Sequence, residues 1–191
     1  MEEELQSQKG GFFLFLWETV KIIVLAIVII VPIRYFIAQP FCVKGASMEQ
    51  NFHDGGYLIV DEISYRFSKP ERGEVLIFRF PEDPRQIYIK RVIGLPEETV
   101  EIKNNQVIIY GKGGMAGSVL GESEYLDQNQ ITEGNLKVKL GANEYFVLGD
   151  NRLQSSDSRR WGPLNKKFII GKVFITAWKS DFIFCRLAPL I

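Results

Sequence analysis

Ser47 and Lys90 are the two residues of this chain best suited to share covalent chemistry. Ser47 stands in Gly45-Ala46-Ser47-Met48, where the small residues before it leave a hydroxyl and backbone N–H groups approachable. The chain has one histidine, His53, so a Ser-His-Asp arrangement has almost no material. A lysine is then the natural base for a serine nucleophile. Lys90 lies in the apolar run Tyr88-Ile89-Lys90-Arg91-Val92-Ile93-Gly94, alternating with Tyr88 and Val92 on one strand face. Burial there would disfavour the ammonium and leave a neutral amine able to take a proton from a hydroxyl. Each residue alone has a plainer reading. Ser47 can be a turn residue, and Lys90 can lay its stem over apolar surface with its charge in water. Met48-Glu49 do not complete G-x-S-x-G, which removes the α/β-hydrolase elbow.

A third polar segment runs from Gly149 to Gly162 and holds Asp150, Asn151, Arg152, Ser155, Asp157 and Arg159. Asp157 and Arg159 can brace a site as an ion pair while a serine hydroxyl orients the lysine amine. The same composition suits a solvated loop built on Asx turns. His53, six residues beyond Ser47, reads as a turn or surface residue.

These residues need a rigid scaffold, and the sequence after Phe41 supplies short β-rich runs broken by turn residues. Strands are expected over 57–60, 74–80, 87–93, 99–102, 106–110 and 144–148, with a final pair that includes 169–178. Asn104-Asn105 marks a hairpin turn. No long amphipathic helix interrupts the series, so the fold expected is mainly antiparallel β. Residues 111–135 are glycine-rich and read as a surface insertion. Gly111-Lys112-Gly113-Gly114 lacks the order of a phosphate loop.

Ahead of this domain, every residue from Ile22 to Ile33 is apolar except Pro32, and Phe12 to Trp17 extends the pattern upstream. Phe12 to Ile33 as one helix spans about 33 Å, enough for a bilayer core. The span can instead begin at Ile22 and run toward Ala38 with Arg34 snorkelling. Glu2-Glu3-Glu4 is not a basic n-region and Ala38-Gln39-Pro40 is a poor cleavage site, so an uncleaved anchor is expected. The domains are thus a polar tail over 1–11, a transmembrane anchor over 12–38 and a β-rich domain over 39–191. Flanking charges do not orient the anchor, since Lys9 and Lys21 face Arg34 and Lys44.

Composition excludes several classes. Lys+Arg and Asp+Glu both total 23 in 191 residues, so no nucleic-acid partner is expected. One histidine and no C-x-x-C leave a metal site short of ligands, and no cofactor is expected. The two cysteines, Cys42 and Cys185, make no disulfide framework; they can pair in an oxidising compartment, but are read first as separate buried thiols.

Taken in order, the segments resemble type I signal peptidases, the membrane-bound Ser-Lys proteases that remove secretory signal peptides. The likeness runs through Gly45-Ala46-Ser47-Met48, Asp54-Gly55-Gly56-Tyr57-Leu58-Ile59-Val60, Arg72-Gly73-Glu74-Val75-Leu76-Ile77-Phe78, Tyr88 to Pro96, and Gly149-Asp150-Asn151-Arg152 through Asp157-Ser158-Arg159 to Trp161-Gly162. The short insertion and single anchor look like the compact Gram-positive-type members. The resemblance implies a catalytic domain of coiled antiparallel sheets behind one transmembrane helix. It implies Ser47 as nucleophile, Lys90 as general base, Ser155 orienting the Lys90 amine, and Asp150, Asp157 and Arg159 maintaining the loop. It also implies an oxyanion hole from the backbone of Ser47 and Gly45. Signal peptides of secretory preproteins would be the partners. The enzyme would be a monomer anchored in membrane lipid, its catalytic domain on the outer face. Endoplasmic-reticulum relatives carry histidine where Lys90 stands. Gln50-Asn51 depart from the Pro-Thr that follows the nucleophile elsewhere, and this loss of proline is expected to relax the turn. Two other readings share some features. A self-cleaving repressor-type peptidase would need a DNA-binding domain in place of 12–33, and a catalytically inactive β-domain would act as a binding or assembly module.

Overall fold

The computed structural model describes residues 2–36, 38–113, 116–127 and 130–177. The chain divides into two compact units, Met1–Ala38 and Gln39–Ile191. The first is one helix, α1 (Glu2–Phe36), so the residues read as a polar tail are helical as well. Its stretch Leu14–Val31 has a mean hydropathy of 2.6 and is long and apolar enough to cross a membrane. Residues Ile22 to Val31 are largely exposed apolar side chains, the pattern of a helix whose solvent is lipid.

The second unit is built on a seven-stranded and a four-stranded antiparallel sheet. The larger joins β1 (Ala38–Cys42), β2 (Tyr57–Asp61), β3 (Val75–Arg79), β4 (Ile87–Gly94), β9 (Glu144–Leu148), β10 (Leu164–Asn165) and β11 (Ile169–Ala177) in the order β1-β2-β11-β3-β4-β9-β10. The smaller joins β5 (Thr99–Lys103), β6 (Gln106–Tyr110), β7 (Ser118–Val119) and β8 (Leu136–Lys139) in the order β7-β6-β5-β8. Short helices α2 (Ser64–Phe67) and α3 (Ser158–Trp161) sit between strands. The expected β5–β6 hairpin turns at Asn104 and Asn105, both at positive φ (51° and 61°), the geometry that matches strand twist in two-residue turns.

Alternation along β3 explains why both faces of the large sheet are covered. Val75 and Ile77 enter one buried cluster with Val43, Met48, Leu58, Val60 and Ile89. Leu76 and Phe78 enter another with Val92, Tyr145 and Leu164. A third cluster, around Ile93, Val100, Ile102 and Phe146, fastens the small sheet to the ends of β4 and β9. Strand β4 contributes to all three, through Ile89, Val92 and Ile93. It is therefore a rigid place to mount Lys90.

Three expectations need correction. The final strands do not pair with each other: β10 pairs with β9, while β11 lies between β2 and β3. The glycine-rich segment is not wholly superficial, because Thr132 is buried and Leu120 and Tyr125 pack on the third cluster. Finally, Cys42 is disulfide-bonded rather than a separate thiol. Cys185 and Trp178 lie outside the described residues.

Gly94 closes β4 at a register shift, where an added Cβ would press on Val100, Leu140 and Phe146. Gly94→Ala is expected to destabilise the domain by about 1–3 kcal/mol through overpacking. Thermal unfolding of the full chain in detergent would measure the loss.

Candidate active site

Strand pairing brings Lys90 to the polar loop. Arg91 pairs with Leu148 and Val92 with Val147, so the same register carried one step further sets Gly149 level with Lys90. The Ser47 turn then docks on this loop from below. Asn151 N–H donates to the Ser47 carbonyl at 3.1 Å, and Asn151 Nδ2 donates to the Ala46 carbonyl at 3.0 Å. Gly149 has no side chain because none fits. A Cβ there would collide with the Ser47 carbonyl and with Ser155 Oγ.

The result places Lys90 Nζ 2.8 Å from Ser47 Oγ. The amine also donates to the carbonyl of Ile89 at 2.8 Å. Lys90 is 3% exposed, and this burial pulls its pKa from 10.5 down to about 8. Asp157 and then Asp150 oppose the fall by attracting the ammonium. Desolvation wins because both carboxylates are already engaged by arginines. The amine is therefore substantially neutral just above pH 8, and a neutral amine accepts the hydrogen bond of a serine hydroxyl.

Asp157 is fully buried and caps α3. Its carboxylate accepts from Arg159 Nε (2.8 Å), Arg159 Nη2 (2.9 Å), Gly149 N–H (3.1 Å) and Arg159 N–H (3.2 Å). Asp150 is equally buried and takes a fork from Arg91, Nε at 2.8 Å and Nη2 at 2.6 Å. A third bond reaches it from Asn51 Nδ2 at 2.8 Å. Asp150 and Asp157 thus each close an ion pair, with Arg91 and Arg159 respectively. Two positions differ from expectation. Ser155 Oγ is buried and lies against Gly149, but makes no hydrogen bond among the described residues, Lys90 included. Gly45, at φ 106°, gives its N–H to Asp54 Oδ1 at 2.8 Å, so that donor is committed away from an oxyanion. Ser47 N–H carries no hydrogen bond among the described residues. His53 is exposed, 4.0 Å from Glu49.

The Gln50-Asn51 turn is not relaxed. Gln50 is held at φ 105°, a region proline cannot enter, and the side chains of both residues are hydrogen-bonded. The sequence pointed to Asn51 and Arg152 without their partners, and it missed the role of Arg91 and of Glu122 altogether. Arg91 carried a readable signal, a second cation beside Lys90 in an apolar strand. The partners of Asn51 and Glu122 were hidden because they lie 99 and 30 residues away. No group of three or more His, Cys, Asp or Glu placed to hold a metal occurs among the described residues.

A serine hydroxyl bonded to a buried lysine amine on a β scaffold defines a class, the serine peptidases that use lysine as base. The family described as Signal peptidase, peptidase S26, matches residues 16–178. A probable signal peptidase I-1 of Synechocystis is 35% identical over 164 residues, covering 82% of this chain and 80% of its own. Signal peptidase I V of Bacillus subtilis is 35% identical over 157 residues, 78% of this chain and 92% of its own. A signal peptidase I of Bacillus licheniformis is 34% identical over 194 residues, 96% and 94% of the two chains. The chain belongs to the S26 signal peptidase family.

Asp157→Asn removes the carboxylate that most opposes Lys90 deprotonation, so the Lys90 pKa should fall further below about 8. NMR of the isotope-labelled lysine amine against pH would follow the shift, and an unchanged or raised pKa would contradict this electrostatic account.

Proposed function

We propose that Ser47 is the nucleophile and Lys90 the general base of a membrane-anchored serine endopeptidase that removes signal peptides from exported preproteins. The carrying observation is the 2.8 Å contact between Ser47 Oγ and a buried Lys90 Nζ. Membership of the S26 family and relatives named signal peptidase I support the substrate class. Nothing in the site favours an inactive binding module.

The reaction proceeds as two acyl transfers. Neutral Lys90 takes the Ser47 hydroxyl proton as Oγ bonds to the scissile carbonyl carbon. The carbonyl electrons move to oxygen, and the Ser47 N–H, which no other group engages among the described residues, donates to that oxyanion. Such a donor is worth about 10²–10³ in rate. Collapse breaks the C–N bond, and the Lys90 ammonium returns its proton to the leaving amine, the new N-terminus of the mature protein. Water then gives a proton to Lys90 and attacks the acyl carbon, which releases the signal peptide as a carboxylate and restores Ser47. Ser155 supplies a further partner for the Lys90 amine by turning its unsatisfied hydroxyl, since a buried orphan hydroxyl costs about 1–3 kcal/mol. Asp150, Asp157 and Arg159 hold the loop.

The substrate binds as an extended strand, with small side chains flanking the cleaved bond. The anchor and the substrate's own apolar segment occupy one bilayer, which raises their effective concentration. Exported preproteins emerge on the non-cytoplasmic side, which supports placing the catalytic domain there. The dyad and its braces all come from one chain, which supports action as a monomer.

Ser47→Ala and Lys90→Ala are each expected to abolish cleavage of a purified preprotein in detergent or lipid. Full activity in either folded variant would sink the mechanism. In the wild type, kcat/KM should rise with pH through an apparent pKa near 8, because the base works as the free amine. A limb near 6.5 would instead implicate histidine.

A further inference from the structure

The segment Glu122–Asp127 belongs to the glycine-rich stretch, yet it is bonded at several points to the two turns that meet at Ser47. Its Glu122 carboxylate takes a fork from Arg152, Nη2 at 2.6 Å and Nη1 at 3.0 Å. Arg152 is 1% exposed, and its Nε donates to the carbonyl of Gly149 at 3.0 Å. The Tyr125 ring lies 4.3 Å from the Arg91 guanidinium, the group that grips Asp150. Tyr125 Oη donates to Glu122 at 2.9 Å, which ties the two anchor points together. From the other side, Asn51 Nδ2 donates both to the Tyr125 carbonyl and to Asp150, each at 2.8 Å. Gln50 Nε2 donates to Asp127 at 2.9 Å.

These contacts converge on the stretch that carries the nucleophile. Residues 46–52 form a tight turn, with Glu49 N–H on the Ala46 carbonyl and Phe52 N–H on the Met48 carbonyl. One end is fastened by Asn151 to the carbonyls of Ala46 and Ser47. The other end is held by the side chains of Gln50 and Asn51, beside Met48 and Phe52 packed on the first buried cluster. Gln50 at φ 105° is a conformation that side-chain-bearing residues keep only where their surroundings impose it. The Glu122–Asp127 segment and Asp150 are those surroundings.

We propose that Glu122–Asp127 is a strap that aims the Ser47 hydroxyl at Lys90, with Asn51 as the positioning residue through which it acts. The proposal rests on Ser47 being the nucleophile. Asn51 hydrogen-bonds to Tyr125 and Asp150 and to neither Ser47 Oγ nor the Lys90 amine. It holds the far end of the turn against the Arg91–Asp150 pair, so its loss lets Oγ drift without removing any reacting group. Drift of this kind lowers the rate of attack while leaving the extended substrate bound as before.

The test is steady-state cleavage of one preprotein by the full-length enzyme in detergent, with Ser47→Ala, Asn51→Ala, Tyr125→Ala and the Asn51/Tyr125 double variant side by side. Asn51 is exposed, and Tyr125→Ala reads the same strap from its opposite side. Asn51→Ala should lower kcat by about 10- to 100-fold with KM changed by less than about twofold. Tyr125→Ala should act in the same direction. The double variant should lose little beyond the worse single one, because both substitutions release the same element. Wild-type kcat in Asn51→Ala, or single losses that multiply in the double variant, would overturn the strap. If Ser47→Ala is silent and Asn51→Ala runs at the wild-type rate, only the strap falls. If Ser47→Ala cleaves like the wild type, the nucleophile assignment falls and the strap with it.

Discussion

The desolvated amine of Lys90 is the constraint around which this domain is arranged. A lysine in water is protonated at neutral pH and has no lone pair to offer a hydroxyl. Burial in strand β4 brings its pKa to about 8, so a far larger share of it is free amine at 2.8 Å from Ser47 Oγ than a lysine in water would offer. The same burial raises a difficulty, since any uncompensated carboxylate nearby would draw the proton back. Asp150 and Asp157 are such carboxylates, and each is saturated by an arginine fork before it can dominate Lys90.

This arrangement separates tuning from holding. Asp157 binds the loop backbone at Gly149 and Arg159, so its charge is spent largely on shape. Asp150 links Arg91 on β4 to the turn that carries Ser47, through Asn51. Lys90 therefore moves with β4 and Ser47 moves with the loop, while one carboxylate couples both. Gly149 sits between the Ser47 carbonyl and Ser155, close enough that backbone alone fills the space. Precision at the dyad comes from that close approach, because a hydroxyl displaced by an ångström no longer meets the amine.

Periodicity and composition made much of this legible. The strands around 57–60, 75–79, 87–93, 99–103, 106–110 and 144–148 follow from β-branched runs bounded by turns, and the Asn104-Asn105 turn from residues that tolerate positive φ. Ser47 and Lys90 stood out because the chain has so little histidine. The short strands β1, β7, β8 and β10 did not, since they pair at edges and lack a long apolar pattern. Contacts at long range were also hidden. Glu122 and Thr132 look like loop residues until Arg152 is seen to reach them both. At Gly45 the resemblance implied a backbone place in the oxyanion hole, whereas its N–H goes to Asp54.

The sequence separations within the site have a consequence for the life of the molecule before it is finished. Lys90 is 43 residues from Ser47, Asn51 is 99 from Asp150, and Asn151 is 105 from Ala46. Contacts this distant form late, because closing long loops must precede any reward from them. During synthesis Ser47 leaves the ribosome first, Lys90 second, and the loop that fixes both well after. A nascent chain therefore carries a serine and a lysine that have not yet been assembled into a protease. Hydrolytic competence arrives with the last third of the polypeptide, so maturation itself acts as the safety catch.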